Sequence, residues 1–189
     1  DKVSSIGEYA FLGCSDLKGI YISDVAAWCG ITFGNSNSNP LVYAENLYLN
    51  GISVTQLVIP DGVTSIGAYA FYNCGGLKSI EIPNSVTTIG LYAFYNCIGL
   101  KSIEIPNSVT AIGSYAFYNC NEVTSVYYMG EITEWCKISF GDNNANPLGH
   151  YVSFYIDDKI LLGDIVIEEG VTTIPSYTFN NSQITSIVI

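Results

Sequence analysis

The sequence predicts a repeat solenoid, mostly β with short helical segments, made by stacking near-identical coils. Three observations predict it. First, residues 66–120 write one 23-residue sentence twice and begin it again: IGAYAFYNCGGLKSIEIPNSVTT, IGLYAFYNCIGLKSIEIPNSVTA, IGSYAFYNC. A fixed period of this length is the signature of stacked repeats. Second, two longer segments align with each other 107 residues apart, matching Trp28 to Trp135, Cys29 to Cys136, Phe33 to Phe140 and Pro40 to Pro147. Third, hydrophobic residues make up 49% of the chain against 12% charged. That composition supports a continuous core and excludes a disordered chain.

Taken in order, the units run short, long, short, short, short, long, short. A single solenoid over 1–189 is expected, with short repeats at about 1–22, 54–82, 83–105, 106–128 and 168–189 and long segments at about 23–53 and 129–167. The first unit reads SSIGEYAFLGC, with Leu12 and Gly13 where later copies have Tyr and Asn. The last is degenerate, with Pro175 in place of Gly and Thr178 in place of Ala. Neither end carries a polar capping unit of the kind a free solenoid end requires, so a piece of a longer array is expected.

Within a short repeat the hydrophobic period changes. Leu77, Ile80 and Ile82, with Ser79 and Glu81 between the last three, alternate with period two, which predicts a half-buried strand. Pro83 ends it, since proline cannot keep donating to a ladder. Ala70, Phe71 and Cys74 fall on one face of a single helical turn, with Tyr69 and Tyr72 on the other. Gly75 and Gly76 release the chain into the next strand. Strands are expected around Tyr21, Val58, Glu81, Glu104, Tyr127, Val166 and Val188. Seven parallel neighbours would make a sheet roughly 30 Å long. In the long segments, 24–29 and 131–137 read as helices of about two turns, capped by Ser23 and by its counterpart Gly130. An Asn-rich loop with proline follows, then a hairpin turning at Asn50-Gly51 and another at Asp157-Asp158.

The charge balance excludes several partners. Six lysines, no arginine and 17 acidic residues give a net charge of −11. Nucleic acid and anionic membranes need clustered Lys and Arg, so neither is an expected partner. No apolar run approaches the ~20 residues of a membrane span. No signal peptide is visible, although Asp1 is not a natural start. Of the six cysteines, Cys14, Cys74, Cys97 and Cys120 hold one place in their repeats, and Cys29 and Cys136 another. The phase favours columns of reduced, buried thiols over disulfides, and no second ligand type keeps the period for zinc.

Candidate sites come from the strand faces. The expected outward column is Tyr21, Val58, Glu81, Glu104, Tyr127, Val166 and Val188. Its neighbour is Gly19, Gln56, Ser79, Ser102, Ser125, Asp164 and Ser186. An aromatic, apolar and acidic surface suits a protein or peptide partner, with aromatic anchors favouring binding; solvated strand positions in copied repeats are the plainer reading. Tyr69, Tyr92 and Tyr115, and Tyr72, Tyr95 and Tyr118, form two further ladders, read mainly as packing with wet hydroxyls. Asp142, Asn144 and Asn146 match the opening of a calcium loop, but the distal glutamate is missing. His150 is the only histidine, and no nucleophile or orienting acid is placed with it, so a structural role is expected. Glu168 and Glu169 sit at a turn where other units have Pro-Asp or Pro-Asn, and read as solvated rather than as a glycosidase pair. Asn180-Asn181-Ser182 is a glycosylation sequon.

The segment LKSIEIPNSVTTIGLYAFYNC (77–97), its copy over 100–120 and the unit at 63–74 resemble the BspA-like leucine-rich repeats. The AWC…F…NPL segments with a following hairpin resemble the longer units interspersed among them. The resemblance covers nearly the whole chain. It implies a right-handed leucine-rich-repeat coil with a parallel sheet on the concave side and short helical or 3-10 segments on the convex side. It also implies an extracellular or cell-surface protein that binds host proteins or other cells. Together with the residue readings, this predicts a non-enzymatic, monomeric binding module without cofactor. Its partner would be a host or neighbouring-cell protein or glycoprotein, held by Tyr21, Val58, Glu81, Glu104, Tyr127 and Asp164 and by the hairpins of the long repeats that Trp28 and Trp135 mark. A structural spacer and a glycan-binding module are the alternatives.

Overall fold

The computed structural model describes residues 2–44, 46–148 and 152–189. The chain is a β-solenoid of about 8 turns. Its main strands pair parallel from coil to coil and in register, so repeat position maps onto sheet position. Ser79 faces Ser102, Glu104 faces Tyr127, and Tyr127 faces Tyr155. Inward side chains of successive coils therefore stack into continuous ladders. Leu77, Phe71, Cys74, Phe94, Cys97 and Leu100 are all fully buried, and Phe71, Phe94 and Phe117 stack ring on ring at 5.3 and 5.5 Å. A single coil has no second layer to cover these residues, so burial exists only through stacking.

The main sheet differs from the seven continuous strands expected. Each long repeat adds a parallel strand of its own, Leu47–Leu49 and Ser153–Ile156. Each then turns back through a hairpin, as expected at Asn50-Gly51 and Asp157-Asp158. The return strands, Ile52–Ser53 and Lys159–Ile160, pair antiparallel with them. A return strand occupies the edge that the next coil would have used, so the parallel ladder stops there. The result is three consecutive sheets: one from 20–22 to 52–53, one from 56–58 to 159–160, and one of 163–166 with 184–188. A second, shorter parallel ladder, which the period-two pattern does not signal, joins 65–66, 88–89, 111–112 and 139–140.

The helical segments fall in the long repeats. They are Val25–Cys29, Leu41–Ala44 and Ile132–Trp135, with a 3-10 turn at Ser36–Ser38. The first is capped by Asp24 rather than Ser23, its carboxylate accepting from Ala27 N–H at 3.0 Å. The second expected helix is a single turn, preceded by Glu131 rather than Gly130. In the short repeats the corresponding segment is a run of turns. Tyr69, Tyr92 and Tyr115, and Asn73, Asn96 and Asn119, all take positive φ. The N–H groups of Tyr69, Phe71 and Asn73 donate to the next coil, while those of Ala70, Tyr72 and Cys74 donate three residues back. This alternation satisfies the backbone in two directions at once, as a buried segment must. Pro83 follows its strand as expected, whereas Pro106 is the last residue of Ser102–Pro106.

Candidate functional site: the outward face of the sheet

The strand alternation turns every second residue away from the core. On Ser125–Met129, Val126 and Tyr128 point in and are buried, while Tyr127 points out. Tyr21 is 70% exposed and Val58 55%. Glu81, Glu104 and Asp164 are exposed as well. Register places Val58 beside Glu81, and Glu104 beside Tyr127. The structure thus brings Val58, Glu81, Glu104 and Tyr127 together in one row. With Gln56, Ser79 and Ser102 they line a groove of about 350 Å³.

Tyr21 and Asp164 lie outside that row, on the sheets before and after it. Asp164 accepts hydrogen bonds from the hydroxyls of Ser186 at 2.6 Å and Thr185 at 3.3 Å. It is therefore engaged with its own neighbouring strand.

Two tyrosines that the sequence reading missed complete the face. Tyr48 stacks on Tyr21 at 4.7 Å, and Tyr155 on Tyr127 at 4.6 Å. Both sit in the strands added by the long repeats. The signal was present in LYL and FYI, each an alternating triplet, but those runs read as hairpin arms alone. The Tyr48 ring lies over Gly19, where a Cβ would come within 2.6 Å of it. The glycine is what lets the ring lie flat there.

Trp28 and Trp135 mark the long repeats but do not face a partner. They are 6% and 0% exposed. Their indole N–H groups donate to the carbonyls of Ala70 at 2.8 Å and Thr178 at 2.9 Å. Asn39 and Asn146 bond the same carbonyls and those of Tyr69 and Tyr177. Each long repeat thus ties its Asn-rich loop to the turn of the coil that follows. Of the residues of the calcium-loop reading, Asn146 is engaged as above, and Asp142 accepts from the N–H groups of Tyr115 in the preceding coil and Asn144 in its own loop. His150 lies outside the described residues.

The convex tyrosines pack as two stacked columns, Tyr69–Tyr92–Tyr115 at 5.3 and 5.0 Å and Tyr72–Tyr95–Tyr118 at 4.7 and 5.3 Å. Their ring faces are turned to one another within each column. The six cysteines are free thiols. Cys97 and Cys120 donate to the carbonyls of Phe71 and Phe94 in the preceding coil. Burial pushes Cys74 and Cys120 up to about 12, the reverse of an activated nucleophile.

Comparison with known proteins follows the same architecture. A family model described as BspA type leucine rich repeat region matches the chain in six copies, over residues 1–48, 42–148 and 153–189. A leucine-rich repeat protein from Eubacterium ventriosum ATCC 27560 is similar over 98% of this chain and 52% of its own, at 21% identity and a TM-score of 0.52. Another, from Bacteroides ovatus ATCC 8483, is similar over 71% of this chain and 33% of its own, at 28% identity and a TM-score of 0.47. The chain therefore spans about a third to a half of the length of these solved relatives. No curated protein matches it.

Proposed function

Because the chain belongs to the BspA-type leucine-rich repeat family, a protein-interaction repeat module, we propose that it is a secreted or cell-surface binding module without enzymatic activity. It holds a host or neighbouring-cell protein or glycoprotein against its concave sheet and its two hairpins. The observation that carries this reading is the outward row of the sheet. The stacked pair Tyr127–Tyr155, the exposed Val58 and two glutamates stand together there, and a second stacked pair, Tyr21–Tyr48, lies on the preceding sheet. Aromatic side chains offer large contact area at small entropic cost, which is the composition of recognition surfaces.

The test substitutes Tyr21→Ser, Glu104→Gln and Tyr127→Ser together. All three side chains lie outside the core, so the fold should be retained. Capture of surface proteins arrayed from candidate host cells is expected to weaken at least tenfold. Unchanged capture by a folded triple variant sinks the proposal. The near-identity of the copies over 66–120 favours a second reading, a spacer that projects another domain. That reading expects no specific capture, and full tolerance to adding or deleting one repeat.

A further inference from the structure

The chemistry of the groove narrows the partner. The groove floor is the outward face of 56–58, 79–81, 102–106 and 125–129. Its charged groups are two carboxylates, Glu81 and Glu104, on adjacent strands. Like charges on neighbouring strands are unfavourable unless something opposite compensates them. Among the described residues no lysine forms an ion pair with either of them. The chain has no arginine. The ion pair found among the described residues is Lys137 with Glu134, elsewhere on the surface. The ammonium of Lys78, adjacent in sequence to Ser79, lies beside Gly99, within 2.7 Å of where a Cβ there would stand.

Beside this pair of carboxylates stands an aromatic wall. Tyr127 is the register partner of Glu104. One face of its ring is covered by Tyr155, and the ring also lines the groove. A ring whose uncovered side looks toward a carboxylate on the next strand is an arrangement that receives a guanidinium. The ring face attracts the cation, and the carboxylate oxygens accept the two parallel N–H groups of the fork.

We infer that the groove takes an extended segment of the partner protein carrying arginine, with one guanidinium stacked on Tyr127 and paired to Glu104 and a second cation on Glu81. The inference rests on the concave-face reading above and adds the partner's chemistry to it. Val58 takes an apolar position at the far end of the row, and the hydroxyls of Ser79 and Ser102 the neutral positions alongside. Four strands at ~4.8 Å spacing set a groove of roughly 14 Å, which about four or five extended residues span. An acidic segment is repelled by both glutamates and by the chain's net charge of −11.

The experiment pans a phage-displayed library of random heptapeptides against the whole chain. A Glu81→Gln/Glu104→Gln variant and a Tyr127→Ser variant, each checked for cooperative folding and a melting temperature no more than a few degrees below the native chain's, serve as counter-screens. Peptides held by the native chain and released by the variants are expected to be enriched in arginine over lysine. A synthetic heptapeptide Ser-Val-Arg-Ser-Arg-Tyr-Ser should bind at least tenfold more tightly to the native chain than to the double glutamine variant. That advantage should shrink as salt is raised, because the charges are solvent-exposed. Groove-dependent peptides with no basic enrichment overturn the arginine inference and leave the concave-face reading intact. Peptides that bind the variants as well as the native chain overturn both.

Discussion

Tyr128 is the inward neighbour of the outward Tyr127, and its hydroxyl is buried without a hydrogen-bond partner among the described residues. Burial, and then the nearby Glu134, pushes its ionisation well up. An orphaned buried hydroxyl costs more than it returns, so Tyr128→Phe is expected to raise stability by up to about 1 kcal/mol. A chemical-denaturation midpoint checks this. The opposite holds for Asn146. Its amide bonds the carbonyls of Tyr177 and Thr178 and accepts from Leu148 N–H. Asn146→Ala removes these bonds and leaves the Leu148 N–H without its acceptor, while Trp135 and Asn180 still donate to the two carbonyls; it should cost about 1–3 kcal/mol. The thiols set an alkaline limit. Burial, joined at Cys29 by Asp24, raises Cys29 and Cys74 from 9.0 to about 12, and burial raises Cys136 from 9.0 to about 11. Between these values the unfolded chain has lost protons that the folded chain keeps. Stability is therefore full below about pH 9 and falls as pH rises toward 12. A melting-temperature series against pH should show that fall, and it should be shallower for Cys74→Ala. The buried ladders were legible because apolar identity repeats with the period. The positive φ of Tyr69 and its copies was not, because tyrosine gives no sign of a left-handed backbone.

At the scale of elements, the two hairpins were the clearest local signals. Asn50 and Gly51 have φ of 50° and 82°, and Asp157 and Asp158 have 46° and 60°. These are the left-handed pairs that a two-residue hairpin needs. Gly51→Val, which places a branched side chain at that φ, is expected to cost about 1–2 kcal/mol. Asn50→Gly should change stability by only a few tenths. Comparing the two melting temperatures checks the assignment. What remained hidden was the consequence of the hairpin for the sheet. The arms at 47–49 and 153–156 are also strands of the main sheet, and their return strands end its parallel pairing. The cap of the first helix lies one position beyond the expected Ser23, because Ser23 and Asp24 both cap well. Only geometry decides that the Asp24 carboxylate reaches Ala27.

At the scale of the molecule, each coil touches chiefly the coils before and after it, so stability is close to a sum over neighbours. Deleting residues 83–105, one full unit between near-identical ones, should leave a cooperatively folding chain with a lower melting temperature and a smaller denaturant slope. Multistate unfolding of that variant would show that the coils are not equivalent. The repeat architecture was readable throughout from period and phase, and so was the outward row from Val58 to Tyr127. The flanking Tyr48 and Tyr155 were not, because their strands belong to the departures from the repeat. The most direct test of the whole account compares affinities for a partner protein drawn from the host-surface array. The native chain is set against the Tyr21→Ser/Glu104→Gln/Tyr127→Ser variant and against a control bearing Leu91→Ser and Ile98→Ser, exposed residues outside the row. Binding that falls at least tenfold in the first variant and holds in the control is the result predicted. Binding that survives the first variant, or falls only in the control, contradicts recognition through the concave sheet.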